Sequence, residues 1–441
     1  MSEQPWAGRR LHLIGLGGAG MSAYALAARA LGAQVSGSDR GESPYLGPVR
    51  AAGITVFVGH DAANVPEGDG VEVVHSTAIT AENPERMAAR ERGIPDRSRA
   101  ELLGELTRLR RVIAVAGAHG KTTTTSMIAH ALLGCGASPG YLIGGELTTT
   151  GTNADWGTGE WLVVEADESD RSMLALDADV AVVTNVELDH VDEYASLADL
   201  QEAYRAFLAG APVRIVAPGL ERLAGAGALM FAAEDLELTA GGSRFAAEGV
   251  EVELTVPGEH NARNAAAALA ACAQTGVDLA QAAAALRDFR GAGRRFQELG
   301  RTAGGAMVID DYAHHPTEVR ATIEGARTFG ARRVVAVFQP HLYSRTAQFA
   351  EDFGAALAGA DVACVLDVYP ARERSEDFPG VRGLMIAEAA ADHGGGRPVL
   401  WLPTFDDAEP VLRSLLRDGD LCLMLGAGDV DTLGRRLITP S

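Results

Sequence analysis

An α/β protein built from three domains with parallel, doubly wound sheets is the fold class this sequence predicts. Two observations carry the prediction: short apolar strand patterns alternate with helix patterns along the chain, and two glycine-rich turns each join a strand to a helix. The length of 441 residues fits about three domains at roughly 100 to 200 residues apiece. The expected divisions are 1–107, a Rossmann-like domain; 108–293, a central domain of the phosphate-loop type; and 294–441, a second Rossmann-like domain.

In the first domain, residues 10–14 form a strand pattern and Gly15-Leu16-Gly17-Gly18-Ala19-Gly20 turns the chain into an alanine-rich helix over 21–32. A second strand, 34–38, ends at Asp39, and a third, 71–76, ends at Ser76 and runs into a loop beginning with Thr77. A charged helix over 99–110 closes the domain. The central domain opens with the apolar strand 112–116, then Gly117-Ala118-His119-Gly120-Lys121-Thr122 and a helix over 121–133. Strands at 161–164 and 180–183 end in Glu165-Ala166-Asp167-Glu168-Ser169-Asp170 and in Thr184 through His190. In open parallel sheets ligands sit at the carboxyl ends of strands, so these acidic tips are expected to face one site. A third series has strands at 306–310, 333–338, 362–367 and 420–425, while the glycine-rich patches 210–243 and 393–396 read as loops.

Composition narrows the function. Fifty-nine acidic against 38 basic residues give a net charge of -21, which would repel a nucleic-acid backbone or an anionic membrane over most of the surface. No apolar run reaches the roughly 18 residues needed to span a bilayer, and the N-terminus lacks signal-peptide anatomy. The four cysteines show no paired spacing, which reads as core residues in a reducing cytoplasm.

The chemistry concentrates in the central loop. A glycine turn between strand and helix presents backbone N–H groups to phosphates, a lysine reaches the β- and γ-phosphates, and a hydroxyl holds Mg2+. Here those roles fall to Gly117, Ala118, His119, Gly120, Lys121, Thr122 and Thr123. The strict pattern asks for glycine where this chain has Val115, so the match is to the shorter Gly-x-x-Gly-Lys-Thr form. Lysine usage sharpens it: of 38 Lys and Arg residues, Lys121 is the single lysine. Arginine replaces lysine everywhere else, yet not where a compact point charge must fit among phosphate oxygens and a planar fork would not. Glu165, at a strand tip, is the expected second metal ligand with Thr122, and His190, at another, is expected either as a further ligand or at the γ-phosphate. The first glycine loop with Asp39 is a dinucleotide fingerprint; beside an ATP apparatus it reads as a pyrophosphate site for a nucleotide-diphosphate substrate, not for NAD.

These motifs, in order with His260-Asn261-Ala262-Arg263-Asn264, Gly293-Arg294-Arg295-Phe296, Asp310-Asp311-Tyr312-Ala313-His314-His315-Pro316 and Phe338-Gln339-Pro340-His341, resemble those of the Mur ligase family over the whole chain. The resemblance implies ATP and Mg2+, two ions, as cofactors, with Lys121, Glu165, His190 and Arg295 catalytic. Asn261, Asn264, Arg295 and Asp311 would join the phosphate loop in binding ATP. UDP would lie on Gly15, Gly17, Gly18, Ala19, Gly20, Asp39, Ser76 and Thr77. An amino acid would lie near Tyr312, His314, His341 and Arg345. By the same resemblance the substrates are UDP-N-acetylmuramate, L-alanine and ATP, joined as an amide in a cytoplasmic step of cell-wall synthesis by a monomer or weak dimer. A recycling ligase of the family, which attaches a tripeptide instead, is the alternative. One departure stands out: Leu342 follows Pro340-His341 where many relatives carry arginine. An NAD-dependent dehydrogenase would use the first loop and leave Lys121, Glu165 and His190 idle, and a nucleotide switch would not need three domains.

Overall fold

The protein is described by a computed structural model over residues 4–189 and 193–439. Its first sheet contains β1 (Arg10–Ile14), β2 (Gln34–Asp39), β3 (Thr55–Val58), β4 (Val71–His75) and β5 (Asp96–Ser98), all parallel in the order β3-β2-β1-β4-β5. The helices α1 (Ala19–Ala30), α2 (Leu46–Ala51) and α3 (Pro84–Glu91) lie between its strands, and α4 (Arg99–Thr107) follows β5. Four of the five residues of β1 are buried, as expected for a strand covered on both faces. The strand order reverses beside β1, which places the loop after it in the crevice where such sheets bind ligands.

The second sheet has seven strands in the order β12-β11-β10-β6-β9-β7-β8. They are β6 (Arg111–Ala116), β7 (Gly140–Leu147), β8 (Thr152–Asp155), β9 (Trp161–Glu165), β10 (Val180–Val183), β11 (Val213–Val216) and β12 (Leu229–Met230). Its helices are α5 (Lys121–Gly134), α6 (Leu197–Ala209) and the single turn α7 (Glu221–Ala224). A three-stranded sheet of β13 (Glu234–Thr239), β14 (Gly242–Ala247) and β15 (Val250–Leu254) precedes α8 (Glu259–Cys272) and α9 (Leu279–Leu286).

The stretch 210–243, expected as loop, therefore carries β11, α7, β12 and β13. Its glycines misled: Gly219, Gly225, Gly227 and Gly241 all have positive φ and lie between the elements, where turns need them, not inside the strands. The four-residue β11 was too short to show a period but pairs along its whole length with β10.

The last sheet runs β16-β17-β21-β18-β19-β20, with β16 (Gln297–Arg301) antiparallel and β17 (Met307–Asp311), β18 (Arg333–Phe338), β19 (Val362–Val365), β20 (Val399–Trp401) and β21 (Asp420–Leu425) parallel. It is flanked by α10 (Pro316–Arg327), α11 (Tyr343–Leu357), α12 (Gly383–His393), α13 (Phe405–Leu415) and α14 (Val430–Ile438).

Two compact units result. One holds the chain up to Glu234 with 246–252 and 263–289; the other holds 235–245, 253–262 and the chain from Arg290. Within the first, a single apolar cluster runs from Leu11 and Leu13 through Val112, Ala114 and Leu162, so the first two sheets share one core. Within the second, two clusters line the opposite faces of the last sheet, one around Phe338 and Phe353, the other around Cys422 and Met424. Among the described residues all four cysteines are free and no helix is long and apolar enough to cross a membrane.

Candidate functional site

The phosphate loop is shaped by what its backbone must do. β6 pairs Val115 with Glu165 of β9 and Ala116 with Val183 of β10, so three strand tips meet around residues 117–120. Gly117 has φ +144, and a Cβ there would lie 2.0 Å from Thr184 Oγ1; Gly120 has φ +81, and a Cβ would lie 2.5 Å from Asn264 Oδ1. Neither position tolerates a side chain without strain. The polar tip of β10 straps the loop: His119 N donates to Asn185 Oδ1 (2.9 Å), and Asn185 Nδ2 (2.9 Å) and Thr184 Oγ1 (2.6 Å) donate to the His119 carbonyl. No side chain caps the start of α5, whose first-turn N–H groups are the natural seat of an anion.

Lys121 reaches back over this loop. Its Nζ donates to the Gly117 carbonyl (2.6 Å), the Ala118 carbonyl (3.4 Å) and Glu168 Oε1 (2.8 Å). Burial works against the ammonium, but Glu168 and Asp167 outweigh it and hold the lysine protonated above its ordinary range. Thr122 and Thr123 are buried in the first turn of α5, and Thr125 Oγ1 turns back to the Lys121 carbonyl (2.8 Å). Glu165 lies at the tip of β9 with Oε1 accepting from Gly144 N (2.9 Å); a Cβ at Gly144 would sit 2.6 Å from Oε2, so the missing side chain opens space beside that oxygen. Hard oxygens from Thr122 and Glu165 suit Mg2+ in donor type. His190, the third expected ligand, lies outside the described residues.

Glu168 was not among the sequence-derived site residues. The signal was an acid three residues past the strand tip, indistinguishable in one dimension from a solvated loop, yet Glu168 is 2% exposed. Arg99 was missed because its partners lie far along the chain. At the start of α4 its Nε donates to Asp170 Oδ2 and its Nη2 to Asp167 Oδ2, both at 2.6 Å. Burial disfavours the Asp167 charge, but Arg99 and Lys121 beside it keep the carboxylate well below its usual range.

The first glycine loop is held equally closely. Gly15 (φ +88) leaves no room for a Cβ, which would be 2.7 Å from Ser76 Oγ. Asp39 turns inward: Oδ2 accepts from Gly17 N (2.8 Å), and Ser43 Oγ donates to the Gly17 carbonyl (2.8 Å). Gly18 precedes α1 with no side-chain cap, leaving the first-turn N–H groups around Ala19 and Gly20 at the helix's positive end; Thr77 stands exposed beyond β4.

In the second unit, Arg294 anchors the segment that presents Arg295. Its guanidinium donates to Asp310 Oδ2 (3.0 Å), the Gly428 carbonyl (2.8 Å) and the Gly426 carbonyl (2.9 Å). Arg294 and Phe296, on either side of Arg295, both adopt positive φ, a conformation non-glycine residues keep only where their surroundings impose it. Asp311 accepts Phe296 N and Ala313 N, each at 2.8 Å; burial lifts its carboxyl to about 6 against the pull of Arg295. The ring of Tyr312 lies 5.1 Å below the Arg295 guanidinium, His314 Nδ1 donates to the Tyr312 carbonyl (2.9 Å), and His341 is 6.2 Å from His314 and stacked on Tyr369. Arg345, 6% exposed, places Nη1 3.4 Å from His341 Nδ1. Asn261, at the start of α8, donates Nδ2 to the Pro257 carbonyl (2.6 Å). His315 caps α10 with Glu318 completing the box, a structural duty. The four expected amino-acid residues thus gather at the carboxyl ends of β17 and β18.

A phosphate loop whose lysine is clasped by strand-tip acids, beside a second glycine loop on a Rossmann-like sheet, defines a nucleotide-dependent ligase scaffold, and the chain belongs to the Mur ligase family. Residues 10–111 match the Mur ligase family, catalytic domain; 115–272 the Mur ligase middle domain; and 294–428 the Mur ligase, glutamate ligase domain. Among relatives, the UDP-N-acetylmuramate--L-alanine ligase of Acidothermus cellulolyticus is 45% identical, covering 95% of this chain and 92% of its own, and that of Syntrophomonas wolfei is 39% identical, covering 98% and 97%. The solved UDP-N-acetylmuramate-alanine ligase of Thermotoga maritima superposes with a TM-score of 0.84 at 29% identity over 97% of this chain and 98% of its own. A murein peptide ligase from Psychrobacter arcticus gives 0.71 at 26% identity, over 98% of each chain.

Proposed function

We propose that this chain is an ATP-dependent ligase that joins L-alanine to the carboxylate of UDP-N-acetylmuramate. The observation that carries it is the lone lysine set in the phosphate loop of a chain similar along its length to L-alanine ligases at 39–45% identity. The tripeptide alternative has weaker support, since the murein peptide ligase is the less similar of the two structures.

An amide does not form from a carboxylate and an amine at neutral pH without activation. In the reaction proposed, a carboxylate oxygen of the sugar nucleotide attacks the γ-phosphorus, ADP leaves, and an acyl-phosphate results. The alanine nitrogen then attacks the acyl carbon, inorganic phosphate leaves with its electron pair, and the ammonium proton passes to solvent. Such phosphoryl transfer asks the protein to position and neutralise rather than to supply a covalent nucleophile. Lys121 and the N–H groups of 117–123 would hold the β- and γ-phosphates, with Arg295 a second cation. Asn261, Asn264 and Asp311 would receive the adenosine. The first loop would seat the UDP pyrophosphate, and Tyr312, His314, His341 and Arg345 the amino acid. Thr122, Glu165 and His190 would hold Mg2+, as two ions, whose positive charge would offset that of the phosphates. Three domains divided near 107 and 293, a cytoplasmic setting and a monomer or weak dimer complete the reading.

Phosphate release measured with UDP-N-acetylmuramate, ATP and each L-amino acid tests it: alanine should give the highest kcat/KM. Turnover only with an alanyl-glutamyl tripeptide, or a preference for glycine, would assign the chain to a different ligase of the family.

A further inference from the structure

Between the two glycine loops lies a residue the reaction as written does not use. Arg99 opens α4 on the first sheet's side, and its guanidinium spans to the acids of the phosphate site: Nε to Asp170 Oδ2 and Nη2 to Asp167 Oδ2, both 2.6 Å. The third nitrogen, Nη1, makes no hydrogen bond among the described residues and lies 3.3 Å from where a Cβ on Gly20 would stand, a point 3.9 Å from Tyr24 Oη. Gly20 is in the first turn of α1, where the first loop offers its N–H groups to an anion. On the other side, the segment holding the acids is a tight turn: Ser169 N donates to Asp167 Oδ1 and Ser172 N to Asp170 Oδ1, both at 3.0 Å. Between those two acids sits Glu168, which holds Lys121 at 2.8 Å.

We infer that Arg99 is a positioning residue coupling the two nucleotide sites, so that an anion bound at the first glycine loop changes the affinity of the phosphate loop for ATP. The inference rests on the reading of both loops given above. One rigid, planar cation grips both acids of the Glu168 turn with two nitrogens and turns the third toward the first loop. A pyrophosphate arriving beside Gly20 draws on that third nitrogen and shares the charge that otherwise serves Asp167 and Asp170. The turn carrying Glu168 shifts its hold on Lys121 in response. Linkage makes the effect reciprocal: ATP must alter the affinity for the sugar nucleotide by the same factor. Lysine does this less well, because an ammonium on a flexible stem lacks the planar fork that fixes two carboxylates and a third direction together.

Calorimetric titration of the full chain decides it, with UDP-N-acetylmuramate and a non-hydrolysable ATP analogue, each alone and each in the presence of the other. The parent should show a coupling factor of about 5-fold or more, the low end of what linked sites display. Arg99→Ala, and Asp170→Asn as the milder break in the same tie, should bring that factor to within about twofold of unity, and Arg99→Lys should fall between, with kcat lowered more than either KM is raised. A residue serving only the fold would lower the melting temperature and both affinities without moving their ratio. Coupling retained in folded Asp170→Asn and Arg99→Ala overturns the inference, as does a parent that binds both ligands independently. A parent that binds neither ligand overturns the functional reading and the inference with it, and is told apart by its first titration.

Discussion

Replacing Lys121 by arginine keeps the charge and changes only its shape, which isolates the argument that this loop selects a point charge. The ammonium sits among three oxygens, at 2.6 Å from the Gly117 carbonyl, 2.8 Å from Glu168 Oε1 and 3.4 Å from the Ala118 carbonyl. Three donors meet three acceptors around one nitrogen. A guanidinium is longer and planar, so it can satisfy the carboxylate only by leaving the carbonyls, and its nitrogens then stand where phosphate oxygens belong. Losing one preorganised electrostatic contact lowers kcat by about 10²- to 10³-fold, or about 2.7–4 kcal/mol. Stability should change far less, because Glu168, 2% exposed, still faces a cation. Lys121→Met, by contrast, removes the cation and should cost about 3–5 kcal/mol, the usual penalty for breaking a buried pair. The assay is steady-state phosphate release at saturating substrates, paired with thermal unfolding of both variants. A Lys121→Arg enzyme turning over within about threefold of the parent would refute the reasoning, given the 10²-fold minimum it requires.

Gly120→Ala should raise KM for ATP and destabilise by about 1–2 kcal/mol, since φ +81 is a left-handed conformation and the added methyl meets Asn264; an unchanged melt and KM would reject this. Hydroxylamine should trap the acyl-phosphate, and 18O from a labelled sugar carboxylate should appear in the released phosphate; its absence would mean adenylation instead. The Asp311 carboxyl, lifted to about 6 by burial, binds its proton more tightly folded than unfolded, so its contribution to stability falls as pH rises from about 4 to about 6. Asp311→Asn should remove that slope, and a parent-minus-variant difference in melting temperature that is flat over this range would contradict it. Among amino acids, glycine and L-serine should trail L-alanine by roughly 10- to 200-fold, the reach of a small apolar pocket. Leu342→Arg should alter KM for UDP-N-acetylmuramate and leave the alanine-to-glycine ratio intact; a changed ratio would place Leu342 in the side-chain pocket.

Much of this protein was determined by the sequence alone. Strands β1, β6, β10 and β21 are apolar runs with their ends marked by glycine or by polar residues, and buried parallel strands must be apolar along their length. Lys121 was legible because a composition otherwise emptied of lysine retained one, and the glycines at 117 and 120 because helix-opening phosphate loops need conformations other residues resist. The tertiary structure alone decided the rest. Short elements such as β3, β5 and β11 carry too few residues to show a period and exist because a neighbouring strand offers hydrogen bonds. Asp39, expected at the UDP site, also braces Gly17, and among the acids at the tip of β9 it is Glu168 that clasps Lys121. Arg99 lies 68 residues before Asp167 in the chain, and nothing local announces their pairing. An acidic residue's role is set by which cation folding brings within about 4 Å of it, because charge interactions there depend on distance and exclusion of water, neither of which is written in the order of residues.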